Sequence, residues 1–179
     1  MGFSVMNFEA VTPSGLARHI WRALHPEEAS KLLTNQQIDF ILGFLSEAVE
    51  VEETKLLKKS ISAVRESILQ DRAAGTPVAE LHRQAGTNFQ KAYVSVFEAY
   101  QGYLKEYDLL DSIDVMAAAL DGVGAFVAQR HVGSLLVVGE PDLSFADAQL
   151  IERLGQAVRK HHVLPRKEEE PEPTHVENQ

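Results

Sequence analysis

The stretch that most constrains the fold is Ser134–Val138, within "HVGSLLVVGEPD". It is short, apolar and bounded by Gly133 on one side and Gly139-Glu140-Pro141 on the other, the marks of a strand. A helix satisfies its own backbone, whereas a strand leaves N–H and C=O groups that need a neighbour. Most of the remaining chain has helical periodicity, so few segments can serve as that neighbour. The other strand-like stretch is "FSVMNF" at 3–8, where Phe3 and Val5 fall on one side of an extended segment. The expectation is therefore a two-stranded ribbon formed by strands near 3–8 and 134–138. Such a ribbon is marginal by itself in water, so it must lie on helices or pair across a subunit boundary.

Helical segments account for nearly everything between. Thr12 can cap a helix with Pro13 at its first position, ahead of Leu16, Ile20 and Leu24, and His25-Pro26 ends it. Thr34 and Gln37 make a T-x-x-Q capping box before the stripe Ile38, Ile41, Leu42, Leu45 and Val49. Leu57, Ile61, Val64 and Ile68 continue a helical pattern, and periodicity alone leaves 35–72 open between one kinked helix and two. Gly75 and Pro77 break the chain; a short helix over Pro77–Gln84 and a long one from Asn88 to about Tyr107 follow. Ser112 is placed as the cap of a helix through Met116, Leu120, Val123 and Val127, and Ser144 with Asp147 caps a last helix through Leu150, Ile151, Leu154 and Val158. The expected fold is mainly α, a bundle of roughly five to seven helices with a small two-stranded ribbon, in a single domain over 1–162.

From Val163 onward the composition turns to Pro, Glu and polar residues, and the formal charge of 163–179 is about −3. Such a segment buries too little surface to offset its ordering entropy, and a solvated acidic tail is expected.

Composition removes several chemistries. The chain has no cysteine, which excludes disulfides, thiolate nucleophiles and Cys-ligated metals and fits a cytoplasmic setting. A net charge of −9 argues against binding driven by the phosphate backbone. No apolar run approaches the roughly 18 residues of a membrane span, and the first residues lack the pattern of a signal peptide. Histidines 161 and 162 are adjacent and cannot share one helix face, and no H-E-x-x-H, G-x-S-x-G or phosphate-loop pattern occurs, so no catalytic residue, metal or cofactor is assigned. "PVAELHRQAGTNFQKAYVSVF" has a helix–turn–helix outline, but Lys91 is the single base in the first half of its second helix.

The long helix is where a site is expected. All four tyrosines lie in Tyr93–Tyr107, and Phe89 extends their face. Tyrosine suits a partly wet boundary because a large apolar ring carries a hydroxyl that needs a partner. Phe89, Tyr93, Tyr100, Tyr103 and Tyr107 are therefore the candidate partner- or ligand-binding residues. The favoured function is a non-enzymatic protein–protein interaction module (an adaptor, regulatory subunit or assembly factor) that binds a protein partner and forms a homodimer. A helical small-molecule sensor with a Tyr/Phe-lined pocket and a DNA-binding regulator are the alternatives. The tail expectation is directly testable: deleting Pro165–Gln179 should leave the melting temperature unchanged within about a degree. A drop of several degrees would show that the segment docks on the body.

Overall fold

The computed structural model describes residues 9–49, 54–138 and 143–164. The first helix, α1 (Pro13–Leu24), begins where the Gly15 N–H donates to Thr12 Oγ1 at 3.2 Å. A 3-10 turn over Pro26–Lys31 leads to α2 (Asn35–Ala48). The Thr34 capping box forms there: Gln37 N–H donates to Thr34 Oγ1 at 3.3 Å, and Thr34 N–H to Gln37 Oε1 at 2.8 Å. Next come α3 (Thr54–Lys59), α4 (Ile61–Ala73), α5 (Val78–Gln84) and α6 (Asn88–Glu106), the last opened by a second capping box, Thr87 with Gln90. The chain continues through α7 (Ser112–Arg130), β1 (Ser134–Val138), α8 (Phe145–Ala157) and β2 (Lys160–Leu164).

The mainly helical fold with a two-stranded sheet is as expected, and three details differ. The described residues hold eight α-helices, because 35–72 divides into α2, α3 and α4. The apolar stripe runs unbroken across the Ser60 junction because Leu57 and Ile68 pack into the same core on either side of it. Periodicity could not reveal the break. Second, the cap of α7 is Asp111, not Ser112: its Oδ1 accepts from the Ile113 and Asp114 N–H groups at 2.8 and 3.3 Å.

The third difference concerns the strand. Among the described residues the neighbour of β1 is β2, in parallel register with Ser134 opposite Lys160 and Val138 opposite Leu164. The expected partner segment 3–8 lies outside the described residues, as do "GEPD" at 139–142 and the chain from 165. Parallel strands need a crossover, and α8 supplies it, making a β1–α8–β2 unit. His131, in the left-handed conformation at φ 52°, ends α7 and turns the chain into β1. Gly155 lets β2 sit close on α8: a Cβ there would lie 2.5 Å from His161 Nδ1. The strand β2 takes in Val163 and Leu164, which composition had placed in the tail.

Two groups of buried side chains form the interior. Ile38, Leu42, Leu57, Ile68, Phe97 and Tyr100 join α2, α3, α4 and α6. Ile20, Ala119, Val123, Phe126, Leu150 and Leu154 join α1, α7 and α8, with Leu135 of β1 packed against them. Gly122 permits the close approach of α7 to α1, since a Cβ there would overlap Leu24 Cδ1. On length and composition α7 could cross a membrane; in this fold it lies between α1 and α8.

The two groups meet at a polar junction. Arg72 of α4 donates through Nη1 to Asp111 Oδ2 and through Nη2 to Asp114 Oδ1 at 2.7 Å. The Tyr100 hydroxyl of α6 donates to the same Asp111 oxygen at 3.2 Å. Beside it, the Leu110 N–H donates to the Lys31 carbonyl at 2.9 Å and the Leu33 N–H to the Leu110 carbonyl at 2.8 Å. Asp111 is fully buried, so removing it takes one of two carboxylate partners from the largely dehydrated Arg72 guanidinium and strips α7 of its cap. Asp111→Ala should destabilise by about 3–5 kcal/mol. Tyr100→Phe, which leaves Asp111 its other donors, should cost about 0.5–1.5 kcal/mol. Urea denaturation of the two variants would refute this ranking if the losses were equal. At the far end, Ser144 Oγ accepts from the Asp147 N–H at 3.2 Å, and Ser144→Ala should cost about 0.5–2 kcal/mol in the same measurement.

Candidate protein-docking face

Helix α6 is the central helix of the first core, with Ala92, Val96, Phe97, Tyr100 and Leu104 buried along it. Its five candidate site residues therefore separate. Tyr100 is fully buried and leaves the candidate surface: it is a core residue whose hydroxyl serves the Asp111 junction. Tyr93 is half-buried and donates to Asp71 Oδ2 at 2.6 Å. Phe89 and Tyr107 are exposed at opposite ends of the helix. Tyr103 is half-buried and stacks on Tyr107 with ring centroids 4.5 Å apart. The arrangement is two separate aromatic patches rather than one stripe, because the middle of the face, at Tyr100, is covered by Arg72 of α4 and by Asp111.

Both buried hydroxyls are held as proton donors. Burial, reinforced by the hydrogen bond to Asp71, pushes the Tyr93 hydroxyl above its ordinary value. Burial and then the nearby Asp111 carboxylate do the same for Tyr100, against the opposing pull of Arg72. Burial also raises the Asp111 carboxyl, again opposed by Arg72. These shifts belong to a satisfied structural network. Each group is engaged by its neighbours: Tyr93 by Asp71, and Tyr100 and Arg72 by Asp111.

The first patch, Phe89 and Tyr93 with Ser67, Gln70, Asp71 and Gln90, surrounds an open depression of about 350 Å³. The second lies where α2 meets the end of α6. Leu33, Gln36, Phe40, Ile41, Tyr103 and Leu109 line an open groove of about 440 Å³ there. Phe40 is 78% exposed, and Phe44, one turn further along α2, is 57% exposed. Tyr107, at 55%, extends the apolar surface beyond Tyr103. Charges at the margin pair with one another, Lys31 with Asp108 and Lys58 with Glu47, each at 2.6 Å. An apolar aromatic centre with a self-neutralised polar rim is the anatomy of a protein interface.

Phe40 and Phe44 are the residues that sequence reasoning missed. The stripe Ile38, Ile41, Leu42 and Leu45 correctly gives the core face of α2, and it directs attention away from the opposite side. The available signal was a pair of phenylalanines four apart at positions where an amphipathic helix carries polar residues.

Other constellations are less developed. His25, Glu27 and Glu28 bring possible ligand atoms within 4.8 Å of one another, but all three come from one short surface turn. The α5–α6 pair keeps a helix–turn–helix outline, with α6 committed to the core and His82 of α5 3.3 Å from Glu98. No protein-family model, curated protein or solved structure matches this chain.

Proposed function

We propose that the protein is a non-enzymatic protein–protein interaction module, an adaptor, regulatory subunit or assembly factor that docks a protein partner on the α2–α6 aromatic face. The observation that carries this reading is the exposure of Phe40 and Phe44 beside the Tyr103–Tyr107 pair. Two rings standing in water one helical turn apart are a liability for solubility, and a partner's apolar surface removes it. Aromatic side chains are also what dominates interface energetics, because each buries a large rigid area. Self-association as a homodimer belongs to the same reading.

The small-molecule alternative has less support. Ligand sites bury most of their occupant, and both depressions lie open at the surface. The DNA-binding alternative meets the charge of −9 and a second helix with Lys91 alone in its first half.

The double variant Phe40→Ser/Phe44→Ser tests the proposal. Both side chains are exposed, so its helical content and melting temperature should match the parent within a few degrees. Affinity capture from native extract should recover a defined protein with the parent and lose it with the variant. Recovery of the same proteins by both would overturn the assignment of this face.

A further inference from the structure

Two features of the α2–α6 face fit one another but lie side by side on the same chain. One is the open groove of about 440 Å³, whose walls include Leu33, Phe40, Ile41, Tyr103 and Leu109. The other is Phe44, one turn along α2 from Phe40, 57% exposed and outside those walls. Helical geometry fixes their directions. Leu42 is fully buried in the core, and Phe40 and Phe44 stand about 20° to either side of the opposite direction. Gln37 and Ile41, which also line the groove, lie on the Phe44 side.

Resting on the assignment of this face as a docking surface, we propose that its partner is a second copy of the chain. The two α2 helices lie antiparallel about a twofold axis level with Leu42. Phe44 of each copy is then opposite Phe40 of the other, on the groove side, and enters the groove there. Gln37 of each copy is opposite Glu47 of the other.

Shape and charge both favour this occupant. A twofold axis carries each Phe44 to a groove and each groove to a Phe44, so one operation fills both. Two copies of a chain at −9 repel one another, and contact costs least where charge is already cancelled. Helix α2 has two charged residues, and both are paired: Asp39 with Arg65 at 2.7 Å and Glu47 with Lys58 at 2.6 Å. The antiparallel direction is matched as well. It sets Glu47 of one copy beside the first turn of the other copy's α2, a positive dipole end with no acidic residue of its own. A parallel copy would bring like dipole ends together. The four rings expose about 500 Å² in all. The walls they cover contribute a similar area, which brings the contact to the roughly 1,000 Å² that a specific interface needs.

The absence of cysteine lets cross-linking read the register. Helices packed about 8–10 Å apart bring opposed Cα atoms to about 5–7 Å, within disulfide reach. An equal mixture of Gln37→Cys and Glu47→Cys chains should therefore form a covalent dimer of the two unlike variants under mild oxidation. Either variant alone should cross-link at least about tenfold more slowly, because its cysteine lies about 15 Å along the helix pair from its counterpart. The parent should be dimeric by light scattering. Phe44→Ser should keep its helical content and raise the dimer dissociation constant by roughly thirtyfold or more, since an aromatic anchor counts twice about a twofold axis.

Three results would overturn the proposal: a parent that stays monomeric at every concentration, either variant alone cross-linking as fast as the mixture, or a Phe44→Ser dimer as tight as the parent's. A monomeric parent that still captures a different protein through Phe40 and Phe44 would remove the second copy and leave the docking face standing. Loss of both would remove the face itself.

Discussion

Asp111 is a carboxylate with no exposed surface, and four donors from three parts of the chain converge on it. It caps α7 through two backbone N–H groups, receives Arg72 from α4 and receives the Tyr100 hydroxyl from α6. The apolar core of α2, α3, α4 and α6 and that of α1, α7 and α8 are packed separately, so nonpolar burial by itself does not dictate how they sit on one another. Apolar contact is non-directional. A largely buried arginine bridging two carboxylates, by contrast, tolerates few geometries. The position of α7 relative to α4, and with it the position of β1 that follows α7, rests on this junction.

That hierarchy explains what was legible in the sequence. Local rules found the caps at Thr12, Thr34 and Ser144, because a cap and its N–H lie within one turn. They missed Asp111 by one residue because Ser112 beside it can play the same part, and the deciding partner, Arg72, is 39 residues away. Periodicity located the core face of each long helix but carried no information on whether that face is covered. Tyr100 was thus assigned to a surface when it lies at the centre. β2 escaped notice because Lys-His-His lacks the alternation of a half-buried strand and sits beside the acidic tail composition. It is held by pairing with β1, a long-range fact, and by the fit of His161 over Gly155.

The functional reading follows from where unsatisfied physics remains. The interior polar groups around Arg72, Asp111 and Tyr100 are engaged, so nothing there calls for a ligand. Among the described residues, the large apolar groups left most uncovered beside a groove are the pair of phenylalanines on α2. Exposed aromatic surface is a feature through which proteins recognise proteins.

Native-state hydrogen exchange tests the central claim about that junction most directly. If Arg72–Asp111 unites the two cores, the slowest amides of α2, α4 and α6 should share one opening free energy with those of α1 and α7. In Asp111→Ala both sets should then fall together. Two distinct opening free energies in the parent, with only α7 affected by the substitution, would show that the cores stand independently and that the junction merely decorates their contact.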